Sequence, residues 1–193
     1  MATATLAPPR GRVDRQAGVV RNVKIIGNVS KKGRYYPQNV LREAMSKYEG
    51  VSVYANHAAP GQRRCIEDKV GILRNVREDP YGGLRADCHL NKAHPMFNQI
   101  CEGIDLDPTS YGFSHDARGP SVMRNGRQEV QRIDDVLSCD LVARPASTAS
   151  IYEDLVEGLD GEPEGFQRDF LGKPIITEAE RVAWLKRMKR FTT

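Results

Sequence analysis

The chain has only four cysteines in 193 residues, and no two of them form a Cys-x-x-Cys pair. Cys65, Cys88, Cys101 and Cys139 are widely spaced, and the N-terminus has no apolar stretch of signal-peptide type. Reduced thiols in a soluble cytoplasmic protein are therefore expected. No window approaches the roughly 18 apolar residues that a membrane-spanning helix needs. Neither sign of charge dominates: 29 Lys and Arg stand against 25 Asp and Glu, a net charge of +4. So mixed a surface is not a nucleic-acid-binding signature, and it assigns no partner by itself. No internal repeat is visible, which excludes solenoid and propeller architectures.

What is present suits one globular domain of ordinary size with tails, since hydrophobic residues make up 39% of the chain. Residues 1–17, rich in Ala, Thr, Pro and Arg without apolar periodicity, read as a flexible basic arm. Up to Arg34 there are eight basic residues against Asp14 alone. A domain is expected over 18–152, followed by an acidic linker over 153–176 and a basic amphipathic helix over 177–193. Thr177 and Glu180 stand in capping-box spacing at the start of that helix.

Inside the domain, β-branched residues predict a strand over Val19 to Ile26. A helix is predicted from Pro37, with Val40, Leu41, Ala44, Met45 and Tyr48 on one face and Gly50 as its stop. Further strands are predicted over Val51 to Tyr54, Val70 to Val76 and Leu84 to Leu90, the last two joined by a Pro-Tyr-Gly-Gly turn. Next come a helix over Pro95 to Glu102 that ends at Gly103, and strands over Thr109 to Ser114, Gln128 to Ile133 and Val136 to Val142. Such an order, strand-rich without βαβ alternation, implies an α+β fold that is mostly β.

A serine hydroxyl is a poor nucleophile at neutral pH unless an imidazole lies within hydrogen-bond reach and a third group orients that imidazole. Ser110 stands in Thr-Ser-Tyr-Gly-Phe, where Gly112 permits close backbone approach and N–H groups aimed at an oxyanion. His57 stands in Asn-His-Ala-Ala-Pro, just past an apolar strand. Adjacent residues of a strand point to opposite faces, so Ser114 can share the face of Ser110 while His115 points away. Ser114 is thus the fallback nucleophile.

Three segments together resemble the tailed-phage prohead proteases. Gly33-Arg34-Tyr35-Tyr36-Pro37, the helix after it and Asn56-His57 are similar to the family's opening segment. Ser110-Tyr111-Gly112-Phe113 resembles its nucleophile strand, and Asp140-Leu141-Val142-Ala143-Arg144-Pro145-Ala146 its closing segment. The resemblance covers about Val19 to Tyr152 and leaves both tails unmatched. It implies a small β-barrel with peripheral helices, like that of herpesvirus assemblin. It also implies a serine endopeptidase without a cofactor, with Ser110 as nucleophile, His57 as general base and Asp140 as orienting acid. Asp135 stands behind Asp140 as the alternative acid, and Ser138 occupies a place where some members carry glutamate. Arg118 matches a basic residue that follows the nucleophile, which with Gly112 implies oxyanion stabilisation. The implied partners are phage scaffold and major capsid proteins, the protease's own tails and further copies of itself. The implied location is the prohead inside the bacterial host cytoplasm.

Three other readings compete. Cys88, His89, His94 and Cys101 include metal-ligating types but lack ligand spacing, so no metal is expected. A capsid-associated module with an inactive site would keep the fold and lose the chemistry. Nucleic-acid binding through the N-terminal arm rests on charge without interleaved aromatics, and ranks last.

Overall fold

The computed structural model describes residues 13–153, other than 59–61, 63, 125, 144 and 149. The expected acidic linker (but for Glu153), the C-terminal helix and most of the N-terminal arm lie outside the described residues. The strand β1 (Val13–Asp14) pairs with β2 (Val19–Ile26), so regular structure begins before residue 18.

Among the described residues, ten strands and two α-helices form an α+β fold that is mostly β. After β2 come β3 (Arg34–Tyr35), helix α1 (Gln38–Tyr48), β4 (Ser52–Tyr54), β5 (Lys69–Glu78) and β6 (Leu84–Leu90). Helix α2 (Phe97–Leu106), β7 (Gly112–Arg118), β8 (Ser121–Arg124), β9 (Arg127–Val130) and β10 (Asp135–Val142) complete the order. Five strands pair in the order β1-β2-β6-β5-β4, β10 pairs with β7, and β3-β9-β8 form a small third sheet.

Helix α1 forms where Pro37 presets the entry and Val40, Leu41, Ala44 and Tyr48 recur at helical spacing, all buried. Gly50, at a φ of +77°, reverses the chain into β4. Helix α2 does not stop at Gly103. It runs on to Leu106, with Tyr111 packed where a Gly103 side chain would stand. Phe113 from β7, Ile25 and Ile26 from β2, Leu73 from β5 and Leu84 from β6 meet in one fully buried core. Burying each such side chain contributes about 1.5–3 kcal/mol.

The expected closed barrel is not formed: one seam of the would-be ring is bridged, and the other is taken up by a different segment. At one, the Ala55 bridge to Leu141 and the Asn56 N–H donating to the Leu141 carbonyl at 2.9 Å join the end of β4 to β10. At the other, the chain after β10 lies between β7 and β2. Its Ser147 and Ile151 carbonyls accept from the Gly27 and Lys24 N–H groups at 3.0 and 2.8 Å. Gly112 at the start of β7 has Pro145 and Thr148 where a Cβ would stand. The returning segment therefore holds the edge of β2 that β7 would need to close the ring.

Of the polar residues of β2, Arg21 faces water, whereas Asn22 and Lys24 are buried. Lys24 is buried and ion-paired with Asp79, which also accepts from Arg85 Nε at 2.9 Å. Arg85 donates to the Tyr152 carbonyl at 2.7 Å, which ties the returning chain to the sheet.

Candidate active site

Strand β4 aims the chain at β10, and Asn56, at a φ of +65°, turns it sharply. Asn56 is fixed at both peptide groups: its N–H reaches Leu141, and its carbonyl accepts from Arg64 Nη1 at 2.8 Å. The next residue, His57, thereby lies over β10, with its Nδ1 2.7 Å from Asp140 Oδ2. The imidazole is half exposed, whereas the Asp140 side chain is fully buried.

A buried carboxylate needs compensation for its lost hydration. Here it comes from Arg64, whose Nη2 donates to the same Asp140 Oδ2. The guanidinium lies over the Tyr54 ring at 4.8 Å from the centroid and also reaches Ser138 Oγ at 3.4 Å. Asp140 Oδ1 has no hydrogen-bond partner among the described residues. With Nδ1 committed to Asp140, His57 keeps Nε2 for other work.

Ser114 stands directly across the β7–β10 ladder from Asp140. Opposed residues of an antiparallel pair share a face, with Cβ atoms about 4.5–5.5 Å apart. Ser114 is 95% buried by accessible area, being 5% exposed, and lines a cleft of about 620 Å³ together with His57, Arg64, His115 and Ser147. Lys32, Arg34 and Asp116 are the other charged residues of that lining among the described residues. The Ser147 hydroxyl, buried and without a partner among the described residues, is also in the lining.

Ser110 is not on a strand. Pro108 and the Asp107 side chain, which accepts from the Thr109 N–H at 3.0 Å, start a 3-10 turn over Pro108–Ser110, and β7 begins only at Gly112. The Ser110 hydroxyl donates to Asp107 Oδ2, and the residue is exposed. It lines a separate hollow of about 200 Å³ with Met96, Ile100 and Tyr111, outside the cleft that His57 lines. Gly112 serves close packing against Pro145 and Thr148, and is not in the cleft lining. Arg118 is exposed at the far end of β7, paired across the ladder with Asp135, and neither lines the cleft. The structure thus gathers His57, Asp140 and Ser114, and leaves Ser110, Gly112, Arg118 and Asp135 elsewhere.

His115 was expected to point away from Ser114, yet it too lines the cleft, where its ring contacts two tyrosines. Its Nδ1 lies 2.7 Å from the Tyr48 hydroxyl and its Nε2 3.1 Å from the Tyr36 hydroxyl. The ring lies nearly parallel to Tyr48 and edge-on to Tyr36. Burial pushes this imidazole down to about 4, with nearby Arg34 adding to the effect.

Among the described residues, no group of three or more His, Cys, Asp or Glu side chains could hold a metal ion. Burial pushes the Cys88 thiol up to about 12, far from the thiolate a metal binds. Both His94 nitrogens are engaged, Nε2 with the Glu67 carbonyl at 2.7 Å and Nδ1 with the Met96 N–H at 3.1 Å.

Sequence reasoning missed Arg64, Ser147 and the tyrosine pair around His115. One arginine in a polar loop has no periodicity to distinguish it. Ser147 follows the matched closing segment, and only its buried, unpartnered hydroxyl singles it out.

No protein-family model matches the sequence, and no curated protein matches it significantly. Among solved structures, the chain is similar to the bacteriophage T4 capsid assembly protease, gp21, at a TM-score of 0.52 and 15% identity. The match covers 66% of this chain and 82% of the T4 chain. At that identity the likeness is one of fold: this chain shares its architecture with a phage capsid assembly protease.

Proposed function

We propose that this protein is a serine endopeptidase of phage prohead maturation, with Ser114 as nucleophile, His57 as general base and Asp140 as the orienting acid. The observation that carries this reading is the His57 Nδ1 to Asp140 Oδ2 contact of 2.7 Å, made to a fully buried carboxylate directly across the ladder from Ser114. The shared fold with a phage capsid assembly protease supports it from an independent side.

In this mechanism a peptide carbonyl enters the cleft and Ser114 Oγ attacks it while His57 Nε2 takes the hydroxyl proton. Asp140 holds the Nδ1–H tautomer and stabilises the imidazolium. His57 then gives the proton to the leaving amine as the C–N bond breaks. A water, deprotonated by His57, hydrolyses the resulting ester and restores Ser114. The buried Ser147 hydroxyl, without a partner among the described residues, is a donor in the cleft suited to a developing oxyanion. Ser110 has a structural role, closing the turn before β7.

Substrates under this reading are scaffold and major capsid segments, and the protein's own tails, inside an immature shell, with self-association bringing copies together there. Coexpression with the scaffold and capsid proteins of the same phage, read by intact mass, tests it. Wild type and Ser110→Ala are expected to shorten those proteins, and Ser114→Ala to leave them whole. Undiminished processing by Ser114→Ala, or none by wild type in assembled shells, would overturn the reading and favour an inactive structural module.

A further inference from the structure

We infer that Arg64 is a positioning residue that seats the His57 turn and tunes His57 as a base through their shared contact on Asp140. The inference rests on the serine-peptidase reading above. Three observations carry it. Arg64 and His57 meet the same oxygen, Asp140 Oδ2, while Oδ1 is without a partner among the described residues. The carboxylate is fully buried and meets both groups directly, Arg64 being largely buried and His57 half exposed, so a change at one contact is felt at the other. The other arm of the same guanidinium holds the carbonyl of Asn56, the residue that aims His57, at 2.8 Å.

A planar fork supported on the Tyr54 ring makes both contacts at once, which the single ammonium of a lysine does not reproduce. The permanent charge of Arg64 offsets that of Asp140. Without it, the carboxylate would bind an imidazolium more tightly, and the free base would appear only at higher pH. Among the described residues, the other charged or titratable groups lining the cleft with His57 are Lys32, Arg34 and Tyr36 from the chain around β3, and His115 and Asp116 from β7. They are unchanged in an Arg64 variant, so a displaced pH profile reports on Arg64.

The test is kcat and kcat/KM against pH on a fluorogenic peptide spanning a site that wild type cleaves, with Ser114→Ala as control. In Arg64→Gln the acid limb of kcat/KM is expected to move up by about one pH unit, the range for gain or loss of a neighbouring charge. Its plateau kcat should fall about 10-fold, as for a misoriented base. An Arg64→Gln protein that melts as wild type does and keeps an unmoved limb overturns the inference, even with Ser114→Ala inactive. If Ser114→Ala cleaves as wild type does, the peptidase reading fails first and takes this inference with it. Should the glutamine variant not fold, Arg64→Lys decides: a lowered kcat with the limb in place supports the fork, and wild-type kcat overturns it.

Discussion

Asn56 holds a left-handed conformation immediately before His57, one that most L-residues adopt only at a cost of about 1–2 kcal/mol. Its side chain type tolerates that region, and glycine tolerates it better. Asn56→Gly should therefore keep near-wild-type stability, whereas Asn56→Val should lose about 1–2 kcal/mol in urea unfolding and lower kcat more than KM. Equal stability of the two variants would show that the turn is not under this strain. At the same scale, Ser110 and Ser114 show what a single sequence can resolve. Both lie within reach of the Tyr-Gly-Phe segment, and the glycine after Ser110 is conspicuous. Yet Gly112 is used for packing against Pro145 and Thr148, and Asp107 with Pro108 takes Ser110 into a turn. The pairing of His57 with Asp140 was legible through ordered resemblance, while Arg64 had no signal in sequence at all.

At the scale of elements, β7 carries Ser114 and His115 side by side in the cleft lining, and the hydroxyls of Tyr48 and Tyr36 hold the His115 ring, so the strand is anchored next to the proposed nucleophile. A neutral imidazole offers one donor and one acceptor, which suits a hydroxyl at each nitrogen. In the unfolded chain the ring titrates near 6.5, and in the fold burial holds it down to about 4. Between those values the unfolded state binds a proton that the folded state does not. Stability present above pH 6.5 is thus lost as pH falls toward 4, by up to roughly 3 kcal/mol. His115→Gln, compared with wild type by urea unfolding at pH 7 and pH 4.5, should lose less stability between the two. An identical loss would remove His115 from the acid sensitivity. Elements with strong periodicity were legible: β2 and β6 have the predicted bounds, and α1 starts after Pro37 on the predicted apolar face. Boundaries set by local polar turns, as at α2 and β7, were not.

For the whole molecule, the sequence pattern carried the strand-rich composition but not the closure of the ring. Closure depends on which chain holds the edge of β2, and the returning segment holds it through Ser147 and Ile151 carbonyls that no side-chain pattern encodes. The same segment delivers Ser147 to the cleft, so the open seam and the site are built by one piece of chain. Buried Lys24, Asp79 and Arg85 then secure its end. Within this architecture His57 and Ser114 line one cleft, and Asp140 contacts the first and stands across the ladder from the second. The most direct measurement is labelling of the assembled protein with a fluorophosphonate probe, the modified residue mapped by peptide mass spectrometry. The account predicts adduct on Ser114, lost in Ser114→Ala and His57→Ala and retained in Ser110→Ala; adduct on Ser110, or undiminished labelling of Ser114→Ala, would contradict it.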